Sequence, residues 1–108
     1  MKIILTGASG LLGSAFAKAA SLRSHEVIGI VNSYNHPVDG LSSQNTLDLS
    51  DLAAIEAFTL EAFPDAIVNC AAISNPSQCD NDPTLSDLIN VRLPEKLALL
   101  SRHLFARY

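Results

Sequence analysis

The sequence lacks the marks of several large protein classes. Its seven Lys and Arg residues are scattered among eleven Asp and Glu, for a net charge of -4, with no basic cluster. That excludes a phosphate-backbone partner such as nucleic acid. Long hydrophobic runs are also missing. The longest are short, such as Val27 to Val31 interrupted by Gly29, so no segment can span a bilayer. The start, Met1-Lys2-Ile3-Ile4-Leu5-Thr6, passes straight into Gly7, with no signal-peptide core followed by a cleavage site. Cysteine is limited to Cys70 and Cys79, too few for a disulfide framework. These absences imply a reduced, cytoplasmic protein with one buried and one loop thiol. No metal ligands are assigned.

What is present is a modest globular core. Apolar residues make up 48% of the 108 positions and charged residues 17%, enough for one domain. Lys2 to Thr6 reads as a buried strand, and a glycine-rich turn from Gly7 to Gly13 follows. Leu12, Ala15, Phe16, Ala19 and Leu22 recur at helical spacing, predicting a helix to about Arg23. Ser24-His25 makes a turn, Glu26 to Val31 a second strand, and Asn32 to Ser43 a loop. A short third strand is expected within Asn45 to Leu49. Ser50 is the expected N-cap of a helix carrying Leu52, Ile55, Phe58, Ala62 and Phe63 on one face. Pro64-Asp65 stops it, Ala66 to Cys70 is a fourth strand, and Ala71 to Pro83 a loop. Leu85, Leu88, Ile89, Leu93, Leu97, Leu100 and Leu104 carry a last helix, with a kink expected at Pro94. Alternating strands and helices predict an α/β fold: a Rossmann-like, doubly wound parallel sheet in strand order 3-2-1-4.

The glycines supply the functional signal. Gly7 allows the tight turn out of the first strand, and Gly10 lets a pyrophosphate approach the backbone with no Cβ in the way. Gly13 lets the helix pack close. The helix N-terminus adds unpaired N–H groups and the positive end of its dipole. Such a loop between a strand and a helix reads as a phosphate cradle. No Lys-Ser or Lys-Thr follows these glycines, which excludes a Walker loop.

The Gly-x-x-Gly-x-x-Gly spacing resembles that of the extended short-chain dehydrogenase/reductase superfamily. Three other segments agree: Asp48-Leu49 after the third strand, Asn69-Cys70-Ala71-Ala72 closing the fourth, and Ile89-Asn90-Val91 followed by Pro94. Ala71-Ala72-Ile73-Ser74-Asn75, leading to Cys79-Asp80-Asn81-Asp82-Pro83, is most similar to dTDP-4-dehydrorhamnose reductases and their relatives. The resemblance implies that Gly7, Ser9, Gly10, Leu11, Leu12 and Gly13 hold a pyrophosphate. Asn32 and Ser33 would face the adenosine ribose, Asp48 and Leu49 the adenine, and Ala71 and Ala72 the cofactor towards its nicotinamide half. Each has a plainer reading: Asp48 as the start of the Ser50-Asp51 cap, Asn69 as a hydrogen-bonding brace for the loop, Asn90 as a structural link, Cys70 as a small apolar residue.

Two departures matter. No acid stands at the end of the second strand, where NAD-preferring relatives carry one about 20 residues past the glycines. With no carboxylate to repel it, a 2′-phosphate could be accepted there by Asn32, Ser33 or a charged His36, so NADP is expected, with NAD as the alternative because no Arg or Lys stands in that stretch as the phosphate's usual strong partner. Secondly, the family's Tyr-x-x-x-Lys pair, in which Lys lowers the Tyr pKa for proton transfer, is absent from these 108 residues. Tyr34 precedes Val38 by four, Tyr108 ends the sequence, and Lys2, Lys18 and Lys96 fit no such pair. No catalytic residue is assigned.

The fourth strand is also written for burial on both faces although it would be the sheet edge. The expectation is the N-terminal, cofactor-binding segment of a longer reductase acting on a nucleotide-linked 4-keto sugar, its substrate groups lying beyond Tyr108. A native gene product of 11.5 kDa by mass spectrometry would refute that. Alternatives are a sugar-nucleotide epimerase or dehydratase, a non-catalytic nucleotide-binding regulatory subunit, and a free-standing module whose edge strand or last helix pairs with another copy.

Overall fold

The protein is described here by a computed structural model covering residues 1–32, 36–71 and 82–108. The strands are β1 (Lys2–Thr6), β2 (Glu26–Val31), β3 (Ser43–Thr46) and β4 (Ala66–Asn69). They form one parallel sheet in the order β3-β2-β1-β4, as the alternation of elements predicts. Helix α1 (Leu11–Leu22) carries the chain over from β1 to β2, and α2 (Leu52–Ala62) from β3 to β4; among the described residues the β2–β3 connection holds no helix. The last helical run holds α3 (Pro83–Asp87), a π-helical turn (Leu88–Arg92) and α4 (Leu93–His103). Among the described residues, no helix is long and apolar enough to cross a membrane.

Side-chain alternation along the strands divides the core in two. Ile3, Leu5, Val27, Val31 and Ala66 face α1, where Ala17 and Ala20 close the layer. Ile4, Ile28, Ile30 and Ile67 face the other way and pack with Ile55 of α2 and with Leu93 and Leu97 of α4. Both faces of the sheet are therefore covered, which is why the strands are apolar almost throughout.

Several expectations shift in detail. The stripe Leu12, Ala15, Phe16, Ala19 and Leu22 is not the buried face of α1; Gly13, Ala17 and Ala20 are, and Leu22 is 88% exposed. This helix lies so close to the backbone beneath it that only small residues fit there. A Cβ on Gly13 would come within 2.1 Å of the Gly7 carbonyl oxygen. The third strand begins two residues earlier than expected and ends at Thr46, because its pairing with β2 runs from Ile28–Ser43 to Val31–Thr46. Asp51, not Ser50, caps α2, its carboxylate accepting from the Ala54 amide at 3.1 Å. Phe63 leaves the apolar face by adopting φ 49° as the C-cap. The interruption expected at Pro94 takes the form of the π turn, in which the Leu93 N–H bonds to the Leu88 carbonyl. A wider turn there relieves the ring that would otherwise press on the preceding turn.

The outer edge of β4 is partly covered. After a turn through Phe105 at φ 57°, Arg107 donates to the Asp65 carbonyl (3.0 Å) and accepts from the Ile67 amide (2.8 Å). This is a parallel bridge opposite Ala66.

Candidate functional site

The sheet order reverses direction at β1, whose neighbours β2 and β4 lead away on opposite sides. Crevices form at such a switch point, at the carboxyl ends of the strands. A groove of about 290 Å³ lies there. Each strand delivers a lining residue just past its end: Gly7 after β1, Asn32 after β2, Asp48 and Leu49 after β3, and Cys70 and Ala71 after β4. Ser9 and Gly10 of the glycine loop complete one wall, and Leu85 and Ile89 of the last helical run the other.

The glycine loop has the form expected of a cradle. Gly7 sits at φ 65°, and a Cβ on it would meet the Cys70 carbonyl carbon at 2.6 Å, so the loop lies against the end of β4. Gly10 is different: a Cβ there would meet only the Gly7 oxygen, at 3.4 Å. The space at Gly10 is left open on the groove side. Gly10 is the N-cap of α1 and, having no side chain, leaves the amides of the first helical turn without a side-chain cap. Open space over uncapped amides at a helix N-terminus fits a pyrophosphate. Gly13 acts from behind, setting the loop tight on the helix.

The polar groups at the rim are held by local bonds. Asp48 Oδ1 accepts from the Ser50 hydroxyl (2.6 Å) and the Ser50 amide (2.9 Å). The hydroxyl first, then the amide, keeps this exposed carboxyl below the usual aspartate range. Asn69 braces the turn after β4: its Oδ1 accepts from the Thr6 hydroxyl (2.5 Å) and the Ala71 amide (3.2 Å). That fixes Ala71 in the groove wall and matches the plainer reading of Asn69. Burial pushes the Cys70 thiol up, keeping it a neutral, half-buried packing group. Asn90 donates to the Ser86 hydroxyl at 3.3 Å, a bond within its own helix.

Of the expected cofactor residues, Gly7, Ser9, Gly10, Asn32, Asp48, Leu49 and Ala71 come together in the groove. Gly13 is buried behind it, and Leu11 and Leu12 are exposed beside it, at 93% and 71%. Ser33 and Ala72 lie outside the described residues, as do Tyr34, Cys79 and most of the loop before Pro83. Leu85 and the side of Ile89 facing the groove went unassigned at the sequence level. Their helical spacing marks them as core, and only the π turn and the crevice reveal their second exposure. The side of the groove formed by Leu49, Leu85 and Ile89 is thus apolar, with the Asp48 carboxylate and the Asn32 amide also in its lining. Among the described residues no cluster suited to a metal ion occurs.

Residues 1–106 match the family described as RmlD substrate binding domain. Methionine adenosyltransferase 2 subunit beta of Xenopus laevis is 35% identical over 97 residues, 90% of this chain and 28% of that protein. A hypothetical dTDP-4-dehydrorhamnose reductase from Sulfolobus tokodaii superposes with a TM-score of 0.85 at 30% identity, over 98% of this chain and 37% of that one. The Bordetella bronchiseptica enzyme WbmG in complex with NAD gives a TM-score of 0.80 at 25% identity, over 98% of this chain and 35% of that one. The chain spans about a third of the length of these proteins.

Proposed function

The chain belongs to the RmlD substrate binding domain family, and on that premise we propose that it is the NAD(P)-binding N-terminal segment of an oxidoreductase. The substrate class proposed is a nucleotide-linked 4-keto sugar. The observation that carries this reading is the groove itself, in which the glycine loop, the uncapped start of α1 and the ends of all four strands converge. A nicotinamide cofactor supplies or accepts hydride when bound. The chain's own residues do the rest: Gly7, Ser9, Gly10 and the first turn of α1 bind the pyrophosphate, Asn32 meets the ribose, and Asp48 and Leu49 hold the adenine. Ala71, fixed by Asn69, guides the nicotinamide half. NADP is the proposed form, since no carboxylate stands at the end of β2 to repel a 2′-phosphate. Proton transfer to the sugar and recognition of its nucleotide are assigned to residues outside these 108, as is the domain that would carry them.

Calorimetric titration with NADPH and NADH tests the reading. Saturable binding that Gly10→Val abolishes, with circular dichroism unchanged, is the expected result. A folded chain that takes up neither cofactor would overturn it.

A second reading has one observation in its favour. The relative at 35% identity is named a subunit of methionine adenosyltransferase 2, and on that likeness the chain would belong to a nucleotide-binding regulatory subunit. A full-length gene that continues past Tyr108 and still lacks Tyr-x-x-x-Lys would favour it.

A further inference from the structure

Asp39 and Gly40 form the only Asp-Gly pair in the sequence, and no Asn-Gly pair occurs. They stand in a turn of the segment that precedes β3. Asp39 is exposed and lines an open cavity of about 450 Å³, with Ser14 and Lys18 of α1 on its other side. Among the described residues, neither the Asp39 carboxylate nor the Gly40 amide has a hydrogen-bond or ion-pair partner. A free carboxyl therefore stands next to a free amide whose own residue has no Cβ to shield it.

The chain on either side of Asp39 is held. Gly40, at φ 92°, lies against α1 so closely that a Cβ would come within 2.5 Å of the Ala17 oxygen. Leu41 packs over Gly29 of β2. Ser42 donates its amide to the Val27 carbonyl (2.8 Å), and its hydroxyl accepts from the Val27 amide (3.0 Å). Before the pair, the Val38 amide donates to Gln44 Oε1 (2.9 Å), and Gln44 donates to the His36 carbonyl (2.8 Å). Asp39 lies between these two anchors.

We propose that Asp39 is a modification site, which isomerises in the folded chain to L-isoaspartate and thereby becomes a substrate for a carboxyl methyltransferase that recognises that linkage. The Gly40 nitrogen attacks the side-chain carboxyl carbon of Asp39. The new C–N bond closes a succinimide ring, and the amide proton leaves with the carboxyl hydroxyl as water. Water then opens the ring at the former peptide carbonyl, breaking the original Asp39–Gly40 bond and freeing an α-carboxylate for methylation. Nothing is oxidised or reduced, and the mass is unchanged. The backbone gains one methylene between the two residues. Gly40, Leu41 and Ser42 are seated on α1 and β2, so the added length falls on the Val38 side and strains its bond to Gln44. The site does not depend on what occupies the groove at the strand ends.

Incubation of the folded chain in warm, mildly acidic heavy-oxygen water, followed by peptide mapping in ordinary water, tests this. The peptide holding Asp39 is expected to gain one heavy oxygen ahead of every other peptide. The same peptide should then take up methyl groups from an L-isoaspartyl methyltransferase. Asp39→Glu, whose longer side chain closes a ring far more slowly, should lose both signals while remaining folded by circular dichroism. A folded wild type that gains label no faster at Asp39 than at its other aspartates overturns the proposal. So does an Asp39→Glu variant that takes up as much methyl as the wild type. Label that appears only when urea unfolds the chain overturns it as well, since the folded turn would then protect the pair.

Discussion

Asp48 shows how a single residue can serve both architecture and site. Its carboxylate closes the turn into α2 through Ser50 and at the same time forms part of the groove rim. Both Ser50 bonds fall on Oδ1, and the same side chain is among those lining the groove. Its folded pKa lies below the ordinary aspartate value, chiefly because of the Ser50 hydroxyl and next the Ser50 amide. A depressed carboxyl stabilises the fold above the ordinary carboxylate range, and that contribution is lost as pH falls through the folded pKa. Carboxyl-detected NMR should therefore find Asp48 titrating low. In Ser50→Ala it should move part of the way back, because the amide bond survives. An Asp48 titration unchanged by Ser50→Ala would refute this account. The glycines were the most legible residues of all, since their spacing states their backbone requirements. The partners of Asn69 were not legible, because Thr6 lies 63 positions away and meets it only once β1 and β4 are paired.

At the scale of elements, strand positions could be read closely and helix faces less so. Strands β1 and β2 are continuous apolar runs bounded by turn residues, and they stand where expected. Helix α1 misleads because its leucines face outwards while Gly13, Ala17 and Ala20 face the sheet, with Phe16 packed beside them. Hydrophobic size marks a buried face only where the layer has room for it. Here the helix approaches so near that the small residues are the contact. Ala17→Leu should therefore destabilise the chain by about 1–3 kcal/mol through overpacking, while Ala19→Leu on the exposed face should change little. Urea unfolding of the two variants separates these outcomes, and equal midpoints would refute the close packing. The π turn before Pro94 was legible as a place but not as a form: a missing donor locates the break, and only packing against the sheet decides how the chain absorbs it.

For the whole molecule, topology followed from few rules, since alternating strands and helices with right-handed crossovers leave little choice of strand order. What those rules leave open is the edge. Strand β4 has burial on both faces, with Ala66 in one core layer and Ile67 in the other. Over a short stretch that edge is covered by Arg107. Alternate amides of a strand face opposite neighbours. The Cys70 amide reaches inward to the Thr6 carbonyl (3.1 Å) and the Ile67 amide outward to Arg107 (2.8 Å), so by the same alternation the Asn69 amide faces outward beyond that bridge. Hydrogen exchange should then find Ile67 and Cys70 protected and Asn69 fast. Replacing Arg107 by Pro removes the amide that anchors this bridge to the Asp65 carbonyl, so protection at Ile67 should fall while Cys70 keeps its own. Slow exchange at Asn69 would mean that another strand already pairs there. If that protection rose with protein concentration, a second copy would be the partner; if it did not, the pairing would come from within the chain.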